Sequence, residues 1–213
     1  MICVLPFLLF SGFLWENKNY CIKKNYTSRA HYTHYDDREC KDEYQDEVYA
    51  TAAEIVYENG FKNIFDVGCG SGYKLVKYFD GLDTLGCEIQ PTFDFLLHAY
   101  PHKKWMLSDF SCPYPARERD LIICSDVIEH LIDPDLLLNW IDQIDFKYLV
   151  ISTPDRDKLP LAGQSGPPIN PAHIREWSFA EFEEYLSRYF HIVRHFHHER
   201  SGDGQIIIAT KRS

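Results

Sequence analysis

The sequence predicts an α/β fold: a doubly wound, mostly parallel sheet with an antiparallel final strand. Three observations carry this expectation. The run Ile64-Phe65-Asp66-Val67 is short, largely apolar and closed by Gly68, Gly70 and Gly72, which reads as a buried strand entering a tight turn. Tyr73 to Phe79 then space their apolar residues for a helix. Further apolar runs alternate with helical patterns along the chain, and such alternation means parallel strands with helices on both faces of a sheet.

Residues Met1 to Trp15 are almost wholly apolar. The run is short for a spanning helix, which needs about 20 residues. It also lacks the basic start and small-residue cleavage site of an export signal, so no stable membrane insertion is expected. Asn17 to Lys41 is polar, rich in Tyr and His, and without a period. It reads either as a substrate-side cover or as an irregular surface segment. Residues 1–41 are therefore expected to form an extension, and residues 42–213 the folded domain.

Asp42 to Asn59 reads as a helix, with Tyr44, Val48, Ala52 and Ile55 as its apolar stripe and Asn59-Gly60 as its stop. After the central strand and its helix, Asp83 to Ile89 forms a second strand. Pro91 opens a helix through Tyr100, a position that tolerates the missing N–H. Lys104 to Leu107 and Leu121 to Cys124 are the third and fourth strands. Pro134 precedes a helix bearing Leu137, Leu138, Ile141 and Ile144, and Tyr148 to Ser152 is the fifth strand. Asp155 to Trp177 follows Pro154 as a long loop with Pro160, Pro167, Pro168 and Pro171; long ordered loops are often functional. Ser178-Phe179-Ala180-Glu181 is a capping box that starts a helix running to about Arg188. Phe190 to Phe196 and Gln205 to Thr210 read as an antiparallel pair joined around Ser201-Gly202-Asp203-Gly204.

The 213 residues suit one domain with a full core. Hydrophobic residues make up 45% and charged residues 25%, as in a globular protein. The formal net charge of −10 weighs against broad binding to a phosphate backbone, which needs a basic surface. Seven cysteines form no C-x-x-C pair, which fits a reducing compartment without a disulfide framework.

The glycine spacing, Gly68-x-Gly70-x-Gly72, departs from the dinucleotide-binding G-x-G-x-x-G. With Asp66 ahead of it, the D-x-G-x-G-x-G pattern resembles the first motif of class I S-adenosylmethionine-dependent methyltransferases. Within that family it is similar to the small-molecule type, such as the methyltransferase domains of ubiquinone and menaquinone biosynthesis. The resemblance spans roughly Phe61 to Lys211 and implies the seven-stranded, Rossmann-like methyltransferase fold with S-adenosyl-L-methionine as cofactor. It implies that Asp66, Gly68, Cys69, Gly70 and Gly72 form the cofactor turn. Glu88 would accept from the ribose hydroxyls, as an acid at the end of a second strand can, and Ile89 would touch the adenine. Asp109 and Phe110 would sit beside the adenine ring, with a helix or loop cap as the lesser alternative for Asp109. Ser125 and Asp126 would lie near the methionine part. The usual supply of this cofactor points to a cytoplasmic protein.

Methyl transfer from a sulfonium needs chiefly a positioned acceptor and a dry site, and an oxygen acceptor usually also needs a general base. His130 and His173 are the candidates, since His titrates near neutrality. Arg175 either pairs with an acidic acceptor or pairs internally. The fourth strand does not end in Asn/Asp-Pro-Pro-aromatic, the pattern that relatives use on exocyclic amines of bases. These points favour O-methylation of a small molecule or a sugar.

A second resemblance points elsewhere. Glu129-His130 together with His173-x-x-Glu176-Trp177-Ser178 is similar to the magnesium site of small-RNA 3′-end 2′-O-methyltransferases, which uses two Glu and two His; here Asp126 replaces the first Glu. The acidic charge weighs against this nucleic-acid reading, and a hard divalent ion wants more oxygen ligands, so no metal ligand is assigned. A third reading is a non-catalytic cofactor-binding module, against which stand the intact Asp66, the glycines and Glu88. His191, His195 and His197 share a strand face with no metal-spaced partner, and with His198 read as an exposed strand and turn.

Overall fold

Side chains alternate across a strand, and the central run uses both faces. A computed structural model of the chain describes residues 18–212, apart from 32, 34, 37, 39–43, 115–117 and 201. In it, β1 (Asn63–Val67) sends Phe65 and Val67 into one apolar core and Ile64 into the other. The remaining strands are β2 (Asp83–Glu88), β3 (Lys104–Leu107), β4 (Arg119–Ser125), β5 (Phe146–Pro154), β6 (Phe190–His197) and β7 (Gly204–Lys211). They make one seven-stranded sheet in the order β3-β2-β1-β4-β5-β7-β6. The pairs from β3 to β5 are parallel, whereas β7 runs antiparallel to both β5 and β6. The predicted doubly wound sheet with an antiparallel final strand is thus the one observed.

The helices are α1 (Asp46–Asn59), α2 (Tyr73–Phe79), α3 (Thr92–Ala99), α4 (Pro134–Asp142) and α5 (Phe179–Leu186). Val48, Ala52 and Ile55 of α1 and Leu75 and Phe79 of α2 cover the Ile64 face. Leu137, Leu138 and Ile141 of α4 and Phe182 and Leu186 of α5 cover the Phe65 face. Fully burying each such side chain stabilises the fold by about 1.5–3 kcal/mol. Gly60, at φ 63°, ends α1 in the left-handed region, where glycine carries no steric penalty. At α5 the capping box is complete: Ser178 accepts from the Glu181 N–H, and the Glu181 carboxylate accepts from the Ser178 N–H.

Three expectations need correction. Helix α1 begins at Asp46, so Tyr44 precedes it and stands 46% exposed rather than in the core stripe. Strands β4 and β5 are longer than their apolar runs, because Arg119, Asp120, Thr153 and Pro154 are also buried in the sheet. The loop after β5 has structure of its own, with 3-10 turns at Arg156–Lys158 and Leu161–Gly163 and a bridge between Asp155 and Trp177. The apolar run Met1 to Trp15 lies outside the described residues. Among the described residues no helix is long and apolar enough to cross a membrane, and none of Cys21, Cys69, Cys87, Cys112 and Cys124 is in a disulfide.

Residues 18–29 lie along that loop without helix or strand. Tyr20 C=O accepts from Trp177 Nε1 (2.8 Å), and Tyr26 Oη accepts from the Glu176 N–H (2.9 Å). The Thr27 N–H donates to Ser165 C=O (3.0 Å) and the Arg29 N–H to Ile174 C=O (2.7 Å). Such contacts satisfy backbone groups one at a time, which is why the segment shows no period.

Candidate active site

In an open parallel sheet, ligands lie beyond the carboxyl ends of the strands. Here the ends of β1, β2, β4 and β5 converge on a cavity of about 470 Å³. Gly68, Cys69 and Ser71 line it after β1, Glu88 and Ile89 after β2, Phe110 after β3, and Ser125 and Asp126 after β4. The 3-10 turn Ile128–His130 adds Glu129 and His130, and the long loop adds Asn170 and His173.

The glycine turn is locked to β2. Gly68 N–H and Cys69 N–H both donate to Cys87 C=O, at 2.9 and 3.2 Å. Glu88 Oε1 accepts from Gly70 N–H (3.0 Å), and its Oε2 accepts from Ile89 N–H (2.9 Å). These two bonds anchor the Glu88 carboxylate at the edge of the cavity, which it lines. At Gly68, φ is 70° and an added Cβ would run into the Val127 side chain. Asp66 is buried behind the turn and accepts from Tyr49 Oη at 2.9 Å. Asp66, Gly70 and Gly72 therefore shape the turn from behind, while Gly68, Cys69 and Glu88 face the cavity.

Asp109 is a correction. It is exposed, and its carboxylate accepts from the Ser111 N–H (3.0 Å) and Ser111 Oγ (2.5 Å). Those bonds hold its carboxyl below the usual range, against a burial effect that pushes it up. Asp109 caps the loop, and Ser108 and Phe110 line the cavity instead.

The double duty of Glu88 gives a prediction. Glu88→Ala should weaken cofactor affinity by about 1.5–3 kcal/mol, the usual value of hydrogen bonds to a charged group, with the fold retained. Calorimetry beside a thermal melt checks this, and affinity within a factor of two of the parent would refute it.

At the other end of the cavity, His130 and His173 meet edge to face, ring centroids 4.9 Å apart. His173 Nδ1 lies 2.6 Å from Glu176 Oε1, and His173 Nε2 lies 2.9 Å from Asn170 Nδ2. Asn170 Oδ1 accepts from the Ala172 N–H (3.0 Å), which orients the amide so that its NH₂ donates to His173 Nε2. His173 Nδ1–H then donates to Glu176. His130 Nδ1 faces Ala172 C=O at 3.0 Å, a contact that protonates Nδ1 and leaves Nε2 as the acceptor nitrogen. The loop is stapled here through the Ile174 N–H, which donates to Glu129 C=O at 2.8 Å.

Glu129 is fully buried. Its Oε2 accepts from Thr153 Oγ1 (3.1 Å), and its Oε1 has no hydrogen-bond partner among the described residues. Burial, and secondarily the charge of Asp126, push its carboxyl up to about 8. In the unfolded chain it ionises at its ordinary 4.5, so this group opposes folding increasingly as pH rises from about 4.5 to about 8. Comparing urea stability against pH for the parent and Glu129→Gln checks the sign: the difference between them should shift in favour of the variant across that window. A difference constant with pH would refute it.

Of the two readings of Arg175, the structure has the internal one, with backbone carbonyls as partners. Arg175 is buried, donates to Leu131 C=O (2.8 Å) and Ile132 C=O (2.7 Å), and lies over the Tyr20 ring, so it turns away from the cavity. Asp126, at φ 52°, accepts from Ser152 Oγ (2.8 Å) and Gln45 Nε2 (3.2 Å). Among the described residues, Glu129, His130 and His173 each offer a ligand atom within 4.8 Å of the others; Asp126 is outside that set. Two of the β6 histidines make contacts within the fold: His195 stacks on Phe179, and His197 lies 2.7 Å from Asp155, whereas His191 is exposed. The cavity-lining residues that pattern reading missed include Gln45, Tyr49, Lys74, Thr92, Pro154 and Asn170, which carry no motif. Tyr35 and Tyr44 also line it, and for Tyr35 the aromatic density of its segment was the available signal.

A methyltransferase-domain family model matches residues 32–198. Solved structures with the same fold include a protein of Pyrococcus horikoshii (TM-score 0.65, 14% identity, covering 84% of this chain and 95% of that one). An S-adenosylmethionine-dependent methyltransferase of Clostridium acetobutylicum is similar (TM-score 0.63, 15% identity, 84% and 96%). So is the methyltransferase domain of bacterial CtHen1-C (TM-score 0.59, 16% identity, 78% and 97%). At these identities the likeness is one of fold. No curated protein matches the sequence.

Proposed function

Because the chain belongs to the methyltransferase-domain family, we propose that it is an S-adenosylmethionine-dependent O-methyltransferase acting on a small molecule or a sugar. The observation that carries this is one continuous cavity, with the Gly68 turn and Glu88 at one end and the His130–His173 pair at the other. The donor set suits the cofactor: Glu88 offers anionic acceptors to ribose hydroxyls, Ile89 and Phe110 offer apolar surface to a base, and the turn comes close without side chains at Gly68. Bound there, S-adenosylmethionine supplies a methyl group on a sulfonium, which is electrophilic without help.

The protein's part is positioning and proton removal. Glu176 fixes His173 with Nδ1 protonated, so Nε2 is the atom that takes the acceptor proton. An incoming hydroxyl replaces the Asn170 amide at Nε2, and Asn170 is then free to hydrogen-bond the acceptor. His130 packs against His173 and limits its ring rotation. Asn170 and His173 of the loop wall this end, and the segment 18–29 packs on that loop through Tyr26, Thr27 and Arg29. The test is calorimetry with S-adenosylmethionine and its demethylated product, followed by methyl transfer to hydroxyl acceptors; absence of cofactor binding, or transfer to amines alone, refutes the reading.

The orphan Glu129 Oε1 beside two imidazoles favours a second reading, a divalent cation in the Glu129, His130 and His173 cluster and ribose methylation of RNA ends. Against it, His173 Nδ1 is held by Glu176, and Asp126 is held by Gln45 and Ser152. Transfer to an RNA 3′ end that is lost on chelation and restored by magnesium or manganese would favour the metal.

A further inference from the structure

The acceptor end of the cavity has a wall from outside the sheet. Tyr35 lays its ring along that of His130, with centroids 6.1 Å apart and planes 26° apart, and remains 53% exposed. Tyr44 lines the same end beside Asp126. The wall is tied to the floor: Arg29 Nε donates to His173 C=O (3.2 Å) and its Nη2 to Pro168 C=O (2.5 Å). The acids on the floor are Asp126 and Glu129, of which burial keeps Glu129 protonated up to about pH 8. Among the described residues, Arg175 serves the Leu131 and Ile132 carbonyls and Arg38 pairs with Asp36 at 2.6 Å. Lys74 sits on the first turn of α2, beside the cofactor turn.

Resting on the O-methyl-transfer reading, we propose that this end takes an uncharged ring bearing neighbouring hydroxyls: a neutral glycosyl unit, its C–H face on Tyr35 and its hydroxyls toward Asp126, Gln45 and Asn170. The alternation of carboxylate acceptor and amide donor, with Gln45 Nε2 on Asp126 at 3.2 Å, matches hydroxyls that each donate and accept. The exposed aromatic face supplies the apolar platform. A phosphate or carboxylate next to the methylated hydroxyl would stand against the Asp126 carboxylate, and like charges at close range are strongly disfavoured.

The full chain is incubated with methyl-tritiated S-adenosylmethionine and a panel of methyl glycosides, the matching uronic acids and sugar phosphates, a catechol, and an RNA oligonucleotide with a free 3′ end. The expected result is transfer to a neutral glycoside at least about tenfold better than to its anionic counterpart. Tyr35→Ala should lower kcat/KM for that glycoside about tenfold, as for loss of an aromatic platform, with affinity for the demethylated cofactor product within a factor of two. Transfer to the catechol, the RNA or the anionic sugars in preference to every neutral glycoside overturns the proposal while O-methyl transfer stands. Glycoside transfer indifferent to Tyr35→Ala also overturns it. Failure of transfer to every hydroxyl acceptor overturns the proposal and the O-methyl-transfer reading together.

Discussion

His173→Ala is expected to lower turnover by roughly 10²–10⁴-fold, the range for removing a general base, while cofactor affinity stays nearly the same. The ring is buried and held from both sides, by Glu176 at 2.6 Å and Asn170 at 2.9 Å. The Glu176 contact matters because it decides which nitrogen is the acceptor. Glu176→Gln should therefore lower turnover as well, by less, since an amide can still accept from Nδ1–H but no longer stabilises a charged imidazolium. The readouts are single-turnover methyl transfer, calorimetry with the demethylated product, and a thermal melt. Loss of cofactor binding or of folding in His173→Ala would make His173 structural and leave His130 as the base.

Gly70→Val is expected to abolish measurable cofactor binding. Gly70 sits at φ 54°, a left-handed conformation in which a β-branched residue is a strong outlier. A valine there must move the turn, and the Gly70 N–H then leaves Glu88 Oε1, 3.0 Å away. One change would so disturb both the turn and the acid proposed to bind the ribose. Because β1 and β2 are held by their own ladder from Asn63–Asp83 to Val67–Cys87, the sheet should survive, and circular dichroism should match the parent. Calorimetry that finds unaltered affinity would refute the role of the turn.

What the sequence determined by itself was local. The apolar run and glycines specify β1 and its turn, because period and left-handed backbone preference are properties of a few adjacent residues. The Ser178–Glu181 box specifies the start of α5 for the same reason. Alternation of such units was enough to predict the sheet, since parallel strands require crossovers.

Long-range placement was decided only by the tertiary structure. Asp109 and Arg175 both had motif-like positions, yet one caps a turn with Ser111 and the other fills backbone carbonyls of Leu131 and Ile132. A side chain of either type serves a ligand or the fold according to which unsatisfied group packing brings nearest. The same applies to Glu129 and His173, gathered by the Ile174 N–H on Glu129 C=O, and to Tyr35 on His130. These contacts join segments far apart in the chain, so no periodicity encodes them. They form because closing the loop over the strand ends satisfies buried backbone groups that neither segment can satisfy alone.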